Sequence, residues 1–155
     1  GRMSIARTRP GSSCSRFPAP RPILETVNSA GSWSLVRTAA AMAAAALVYL
    51  HGGSAVQMAN AAAMALKNMM GLVCDPVAGL VEVPCIKRNA AGAMNALCAA
   101  EMALAGIESR IPPDEVIDAM AAVGAALPSS LRETGMGGIA ASPTAVKFRE
   151  EFFGQ

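Results

Sequence analysis

The stretch AAAMAAAALVYLHGGSAVQMANAAAMALKNMM, residues 39–70, decides the fold class. Its opening, residues 39–50, is dominated by alanine, the side chain that costs a helix least. That run ends at His51-Gly52-Gly53, where glycine is available for the left-handed residue that closes many helices. Ser54 is placed to cap a second helix over about 55–70, in which Val56, Ala59, Ala63, Leu66 and Met70 recur at three- and four-residue spacing. Neither run reaches the roughly 18 consecutive apolar residues of a membrane span. Gln57, Asn60, Lys67 and Asn68 also interrupt the second. A soluble helical pair is expected, with no membrane association.

The same reading extends downstream. GLVCDPVAGLVEVPC, residues 71–85, is too rich in glycine and proline for a helix and reads as an irregular connection with a brief extended piece around Leu80–Val83. A third helix is expected at about 88–105, with Ala91, Met94, Asn95, Cys98 and Met102 along one face and Gly106 as its stop. Pro112-Pro113 opens a fourth at about 113–126, with Asp114, Glu115 and Asp118 near its positive end. After Leu127-Pro128 come a glycine-rich loop (Gly135, Gly137, Gly138) and a short terminal helix from Pro143. No internal repeat is present. The fold class is all-α, and the composition agrees: 53% of the 155 residues are apolar and ten are methionine, but only six are aromatic. Such a composition suits closely approaching helices.

The net charge of +2 averages two unlike parts. Residues 1–38 hold six arginines and one acid, Glu25, whereas residues 39–155 hold seven bases and ten acids. A nucleic-acid binder concentrates its basic charge on a folded surface. Here that charge lies in an Arg/Ser/Pro-rich stretch unable to bury enough apolar area to offset chain entropy, so nucleic acid is not an expected partner. The stretch reads as an organellar transit peptide, a disordered tail or a wrong-frame translation. Four cysteines (Cys14, Cys74, Cys85, Cys98) are few for a disulfide scaffold, and a reduced, cytoplasmic setting is expected.

Chemistry concentrates in Cys74-Asp-Pro-Val-Ala-Gly-Leu-Val-Glu-Val-Pro-Cys85, followed by Ile-Lys-Arg88-Asn89. Two thiols, each beside a proline, sit on what reads as a loop between helices. Such a loop can bring ligands together from several directions. The spacing is not a zinc signature, and buried inert thiols remain the alternative. Cys98, on the third helix, reads as a core thiol, and the methionines at 42, 58, 64, 69, 70, 94, 102 and 120 read mostly as core. His51, the only histidine, reads as a structural residue at a helix C-terminus, where the dipole favours a cation. The turn Arg132-Glu133-Thr134-Gly135, with Gly137-Gly138, either presents backbone N–H groups to a carboxylate or is a plain loop.

The run GLVCDPVAGLVEVPCIKRNAAGAMNAL, continued by AAEMALAGIESRIPPDEVIDAM and LPSSLRETGMGGIAASPT, resembles the C-terminal part of the alpha chain or domain of iron–sulfur-dependent bacterial L-serine dehydratases. The resemblance covers nearly all of residues 39–155. It implies an all-α domain of the serine dehydratase alpha type, with its cluster ligands on an irregular loop between helices. It also implies the conversion of L-serine to pyruvate and ammonia, a [4Fe–4S] cluster held by three cysteines with one iron open to substrate, and no pyridoxal phosphate. A beta subunit or beta domain, and a homo-oligomer, are the implied partners. Cys74 and Cys85 match two of the three cluster ligands, and Asp75, Pro76, Pro84, Arg88 and Asn89 match motif positions that shape the cluster loop or the substrate pocket.

This chain departs from that pattern upstream. The third cysteine belongs to a Gly-Cys-Gln-(small)-Glu motif about forty residues before Cys74, and the aligned position holds Ser32, within Gly31-Ser32-Trp33-Ser34-Leu35. A hydroxyl is a poor substitute for a thiolate on iron. The resemblance stops near Thr38, so a frameshifted or truncated gene product with a non-native residue 1–38 segment is expected, inactive by itself. The ending at Gln155 agrees with the two-subunit variety. Two other functions stay open: a related β-eliminase acting on L-cysteine or L-threonine, and a non-catalytic helical interaction module.

Overall fold

A computed structural model describes residues 35–80 and 82–154, so Cys14 and Ser32 lie outside the described residues. Among these are five α-helices and no β-strand, which establishes the all-α class: α1 Leu35–Leu50, α2 Ala55–Asn68, α3 Cys85–Leu104, α4 Pro113–Ala126 and α5 Pro143–Phe153. No described helix is long and apolar enough to cross a membrane.

Helices α1, α2 and α3 pack on one another, and α4 lies against α2. The core they enclose is built from small residues, with Ala44, Ala61, Ala65 and Ala99 fully buried beside Val48 and Val116. Tyr49, Phe148, Phe152 and Phe153, the aromatic residues described, all stay exposed. An alanine core buries little area per side chain, so its stability depends on close approach of the helix axes and dense dispersion contact. Gly92 marks a close approach of α3 to α1, where an added Cβ would lie 3.0 Å from Val36 Cγ1.

The turns follow their chemistry. Gly52, in the left-handed region at φ 75°, closes α1, and Gly53 N donates to Val48 O at 2.9 Å. Ser54 then forms a full capping box: its Oγ accepts from Gln57 N (3.2 Å), while Gln57 Oε1 accepts from Ser54 N (2.9 Å). The same glutamine donates from Nε2 to Ala103 O at 3.0 Å, so the start of α2 satisfies a carbonyl at the end of α3. His51 Nδ1 lies 2.8 Å from Leu47 O, which places its proton on Nδ1 and fits the structural role expected of it.

Several expectations need correction. The first helix starts at Leu35 rather than near residue 39, and the third starts at Cys85 rather than near 88, so Cys85 opens a helix instead of lying on the loop. Of the piece expected to be extended at 80–83, Leu80 is extended (φ −88°, ψ 127°) after a 3-10 turn at Val77–Gly79, whereas residues 82–84 form a turn and Val81 lies outside the described residues. On α3 the buried face is Gly92, Ala96, Ala99, Ala100 and Ala103, whereas Ala91, Met94 and Cys98 are exposed. Cys98 is therefore not a core thiol. Met42 and Met94 are exposed as well, while Met64 and Met120 are buried and Met58, Met70 and Met102 pack against the core.

Candidate functional site

Cys74 follows α2 in extended backbone that pairs with the turn after α4. Its N donates to Leu131 O at 3.0 Å and its O accepts from Glu133 N at 2.7 Å, a single parallel bridge centred on Arg132. The Arg132 side chain turns away and donates to Leu127 O (2.7 Å) and Ala125 O (3.1 Å), closing the end of α4. The Glu133 N–H is thus committed to Cys74 rather than presented to a ligand.

The residues on either side of Cys74 are held by one guanidinium. Arg88, one turn into α3 from Cys85, donates from Nη1 to Val73 O (3.0 Å) and to Asp75 Oδ1 (2.6 Å). Asp75 is buried, and its other oxygen, Oδ2, accepts from Ile139 N at 2.7 Å. Both carboxylate oxygens are therefore hydrogen-bonded, the condition under which a buried charge is tolerated. Gly138 permits this approach: it sits at φ 62°, and a Cβ there would lie 2.8 Å from Asp75 Cγ. Helix α5 packs on the same assembly, against Val77–Gly79 and Gly138–Ala141.

The result is a cleft of about 560 Å³ that brings both expected cysteines together. Val36, Ala39, Ala40 and Ala43 of α1 form one wall, Leu72–Cys74 and Glu133 another, and Cys85, Arg88, Asn89, Gly92 and Ala93 of α3 the third. Pro76 is buried beneath the loop, and Pro84, joined to Val83 by a cis peptide, immediately precedes α3. Burial pushes the Cys74 thiol above its ordinary range. The charges of Glu133, Cys85 and Asp75 push the same way, and Arg88 opposes them.

Two features escaped the sequence reading. Arg37, in the stretch taken as foreign, is fully buried and donates from Nη2 to Leu72 O. Its burial lowers its pKa, and the nearby Cys74 raises it. The second is the carboxylate of Glu133 on the cleft wall; the Arg-Glu-Thr-Gly turn drew notice only for its backbone.

The resemblance implies an iron–sulfur cluster, which calls for soft thiolate donors. Cys74 and Cys85 are free thiols facing one cleft, soft donors suited to iron and sulfide rather than to a hard cation. Among the described residues no three Cys, His, Asp or Glu side chains converge on a common point. Two soft thiols on one cleft are a donor set compatible with such a cluster, and Ser32, which the resemblance aligns with the third ligand, lies outside the described residues.

Comparison with known proteins bears on the same region. The family model described as serine dehydratase alpha chain matches residues 29–140. A probable L-serine dehydratase alpha chain of Bacillus subtilis is 61% identical over 124 residues, covering 80% of this chain and 41% of the relative. A probable L-serine dehydratase alpha chain of Latilactobacillus sakei is 58% identical over 125 residues, covering 81% and 60%. An L-serine dehydratase of Mycobacterium bovis is 50% identical over 106 residues, covering 68% and 23%. The chain therefore spans between about a quarter and three-fifths of these relatives. On the strength of the family match and these identities, the chain belongs to the serine dehydratase alpha-chain family.

Proposed function

We propose that this chain is the C-terminal part of the alpha region of an L-serine dehydratase, in which Cys74 and Cys85 supply two of the three thiolates of a [4Fe–4S] cluster. The observation that carries this reading is the Arg88 clamp. By gripping Val73 O and Asp75 from the first turns of α3, it fixes the Cys74 segment against the helix that begins with Cys85.

The reaction removes the α-hydrogen and the β-hydroxyl of L-serine as water, and the resulting enamine hydrolyses to pyruvate and ammonia. Hydroxide leaves poorly, and the cluster, when bound, supplies an open iron as Lewis acid for that hydroxyl. The protein's own share is position and environment. Asp75 and Arg88 fix the loop bearing Cys74, and the alanine wall of α1 keeps one side of the cleft apolar. Pyridoxal phosphate has no part in this reading. The partners are L-serine, a beta subunit or domain, and further copies in a homo-oligomer, in the reducing cytoplasm.

Ser32 limits what the chain does by itself. With a hydroxyl at the third position, it does not complete the cluster and is inactive alone. That residue is also the observation favouring the second reading, a helical module without catalysis. The test restores Gly-Cys-Gln-Ala-Glu over residues 31–35, adds the beta partner of a relative, reconstitutes with iron and sulfide under argon, and assays the 2-oxo acid formed: pyruvate from L-serine or L-cysteine, 2-oxobutyrate from L-threonine. Pyruvate from L-serine, with none from the unrepaired chain, is expected. Pyruvate from L-cysteine alone, or 2-oxobutyrate from L-threonine alone, would assign a different eliminase, and no 2-oxo acid from any of the three would favour the module.

A further inference from the structure

We propose that the cleft holding Cys74 and Cys85 contains a cradle for the zwitterion of an α-amino acid, with Glu133 receiving the ammonium and Arg88 the carboxylate. The cradle rests on the dehydratase reading for the identity of its occupant, L-serine, but its chemistry can be tested apart from turnover.

Three observations carry it. First, Glu133 and Arg88 line the same cleft from different elements, Glu133 from the turn after α4 and Arg88 from α3, where Asn89 is its neighbour in sequence. Second, each has unspent capacity. Arg88 uses only Nη1, for Val73 and Asp75, leaving Nε and Nη2 without a hydrogen-bond partner among the described residues. Its side chain keeps 22% of its surface open. The Glu133 carboxylate takes no hydrogen bond or ion pair among the described residues. Third, Glu133 is held in the left-handed region at φ 66°, a conformation that a side chain with a Cβ rarely adopts. Its N–H bond to Cys74 O maintains it there. A strained backbone that presents an unpaired carboxylate to a cleft is a placement with a functional rationale. The same hydrogen bond sets Glu133 beside Cys74 on the cleft.

A carboxylate and a guanidinium lining one cleft match the two charges common to all α-amino acids. They leave the side chain, and hence the β-hydroxyl, to be directed elsewhere. Charge-assisted hydrogen bonds at both ends would discriminate against a ligand carrying only one of the charges.

The test is a 1H–15N NMR titration of the whole chain without iron, using L-serine, L-alanine, 3-hydroxypropionate (no ammonium) and ethanolamine (no carboxylate). Both amino acids should shift the amides around Arg88 and Glu133 and bind about tenfold tighter than either single-charge analogue. Glu133→Gln, which keeps the Cβ and so the backbone strain, should weaken L-serine about tenfold and leave 3-hydroxypropionate unchanged. Glu133→Lys should invert the preference and tighten 3-hydroxypropionate, which a merely structural role would not produce. Amino acids that bind no better than the analogues, or shifts lying elsewhere, or no binding at all, would overturn the cradle. So would L-serine affinity unmoved in both variants. Intact amino-acid binding with no pyruvate from the repaired protein would sink the dehydratase reading alone. Pyruvate formation with a KM for L-serine unmoved by Glu133→Gln would sink the cradle alone.

Discussion

Asp75 is the residue on which the site's geometry converges. It accepts from Arg88 on α3 and from Ile139 in the glycine loop, joining segments far apart in sequence. Asp75→Asn leaves one acceptor but faces Arg88 with a neutral amide, so the charge pair is lost. Breaking a buried pair costs about 3–5 kcal/mol, with the lower end expected here because Arg88 keeps some contact with water. A urea melt should show this as a lower midpoint, and an unchanged midpoint would mean that the pair carries no stability. Cys74 is the other residue with a direct test. Burial first, then the charge of Glu133, disfavour its thiolate. Its alkylation by iodoacetamide should therefore rise with pH through a midpoint above the roughly 8.5 of an ordinary cysteine. Removing a negative neighbour favours the thiolate, so Glu133→Gln should move the midpoint down. A midpoint at or below the ordinary value would show that Arg88 outweighs burial. Little of this clamp was legible in sequence. Asp75 and Arg88 stood out as motif positions, but their link to Ile139 spans 64 residues and leaves no local signal. Gly138 was read only as part of a glycine-rich loop, with nothing to indicate that Asp75 packs against it.

At the scale of the element, α3 is instructive because its sequence offers two stripes of equal period. Ala91, Met94, Asn95, Cys98 and Met102 make one; Gly92, Ala96, Ala99 and Ala103 make the other. Hydrophobic periodicity favours the stripe with larger side chains, yet the helix buries the smaller one. Close packing against α1 at Gly92 and Val36 leaves room for nothing bigger. Ala99→Leu should thus destabilise by about 1–3 kcal/mol through overpacking. Met94→Leu, at a site 64% exposed, should fall within about 0.5 kcal/mol of the parent. Equal effects in thermal denaturation would contradict the assigned faces. Where capping and stop chemistry was local, the sequence was legible: Ser54 with Gln57, Gly52, Pro113 and Ser142 stand at or beside the expected ends. The start of α1 was not, because residues 35–38 sit in an arginine- and serine-rich context, although Arg37 is buried in the fold.

For the whole molecule, the small-residue bundle of α1 to α4 supports one cleft, and two cysteines from different elements meet there. The fold class followed from alanine periodicity, whereas the meeting of Cys74 and Cys85 was foreshadowed only by resemblance to a family, since a separation of eleven positions carries no geometry. On the proposed function, these thiols hold two corners of an iron–sulfur cluster and Ser32 leaves the third unfilled. Anaerobic reconstitution with iron and sulfide, followed by visible absorbance in the thiolate-to-iron bands, tests it most directly. The account predicts a stable chromophore in the chain with Gly-Cys-Gln-Ala-Glu restored over residues 31–35, loss of that chromophore on Cys74→Ser or Cys85→Ser, and none retained by the unrepaired chain after desalting. A chromophore that survives both serine substitutions, or that the unrepaired chain retains in full, would contradict it.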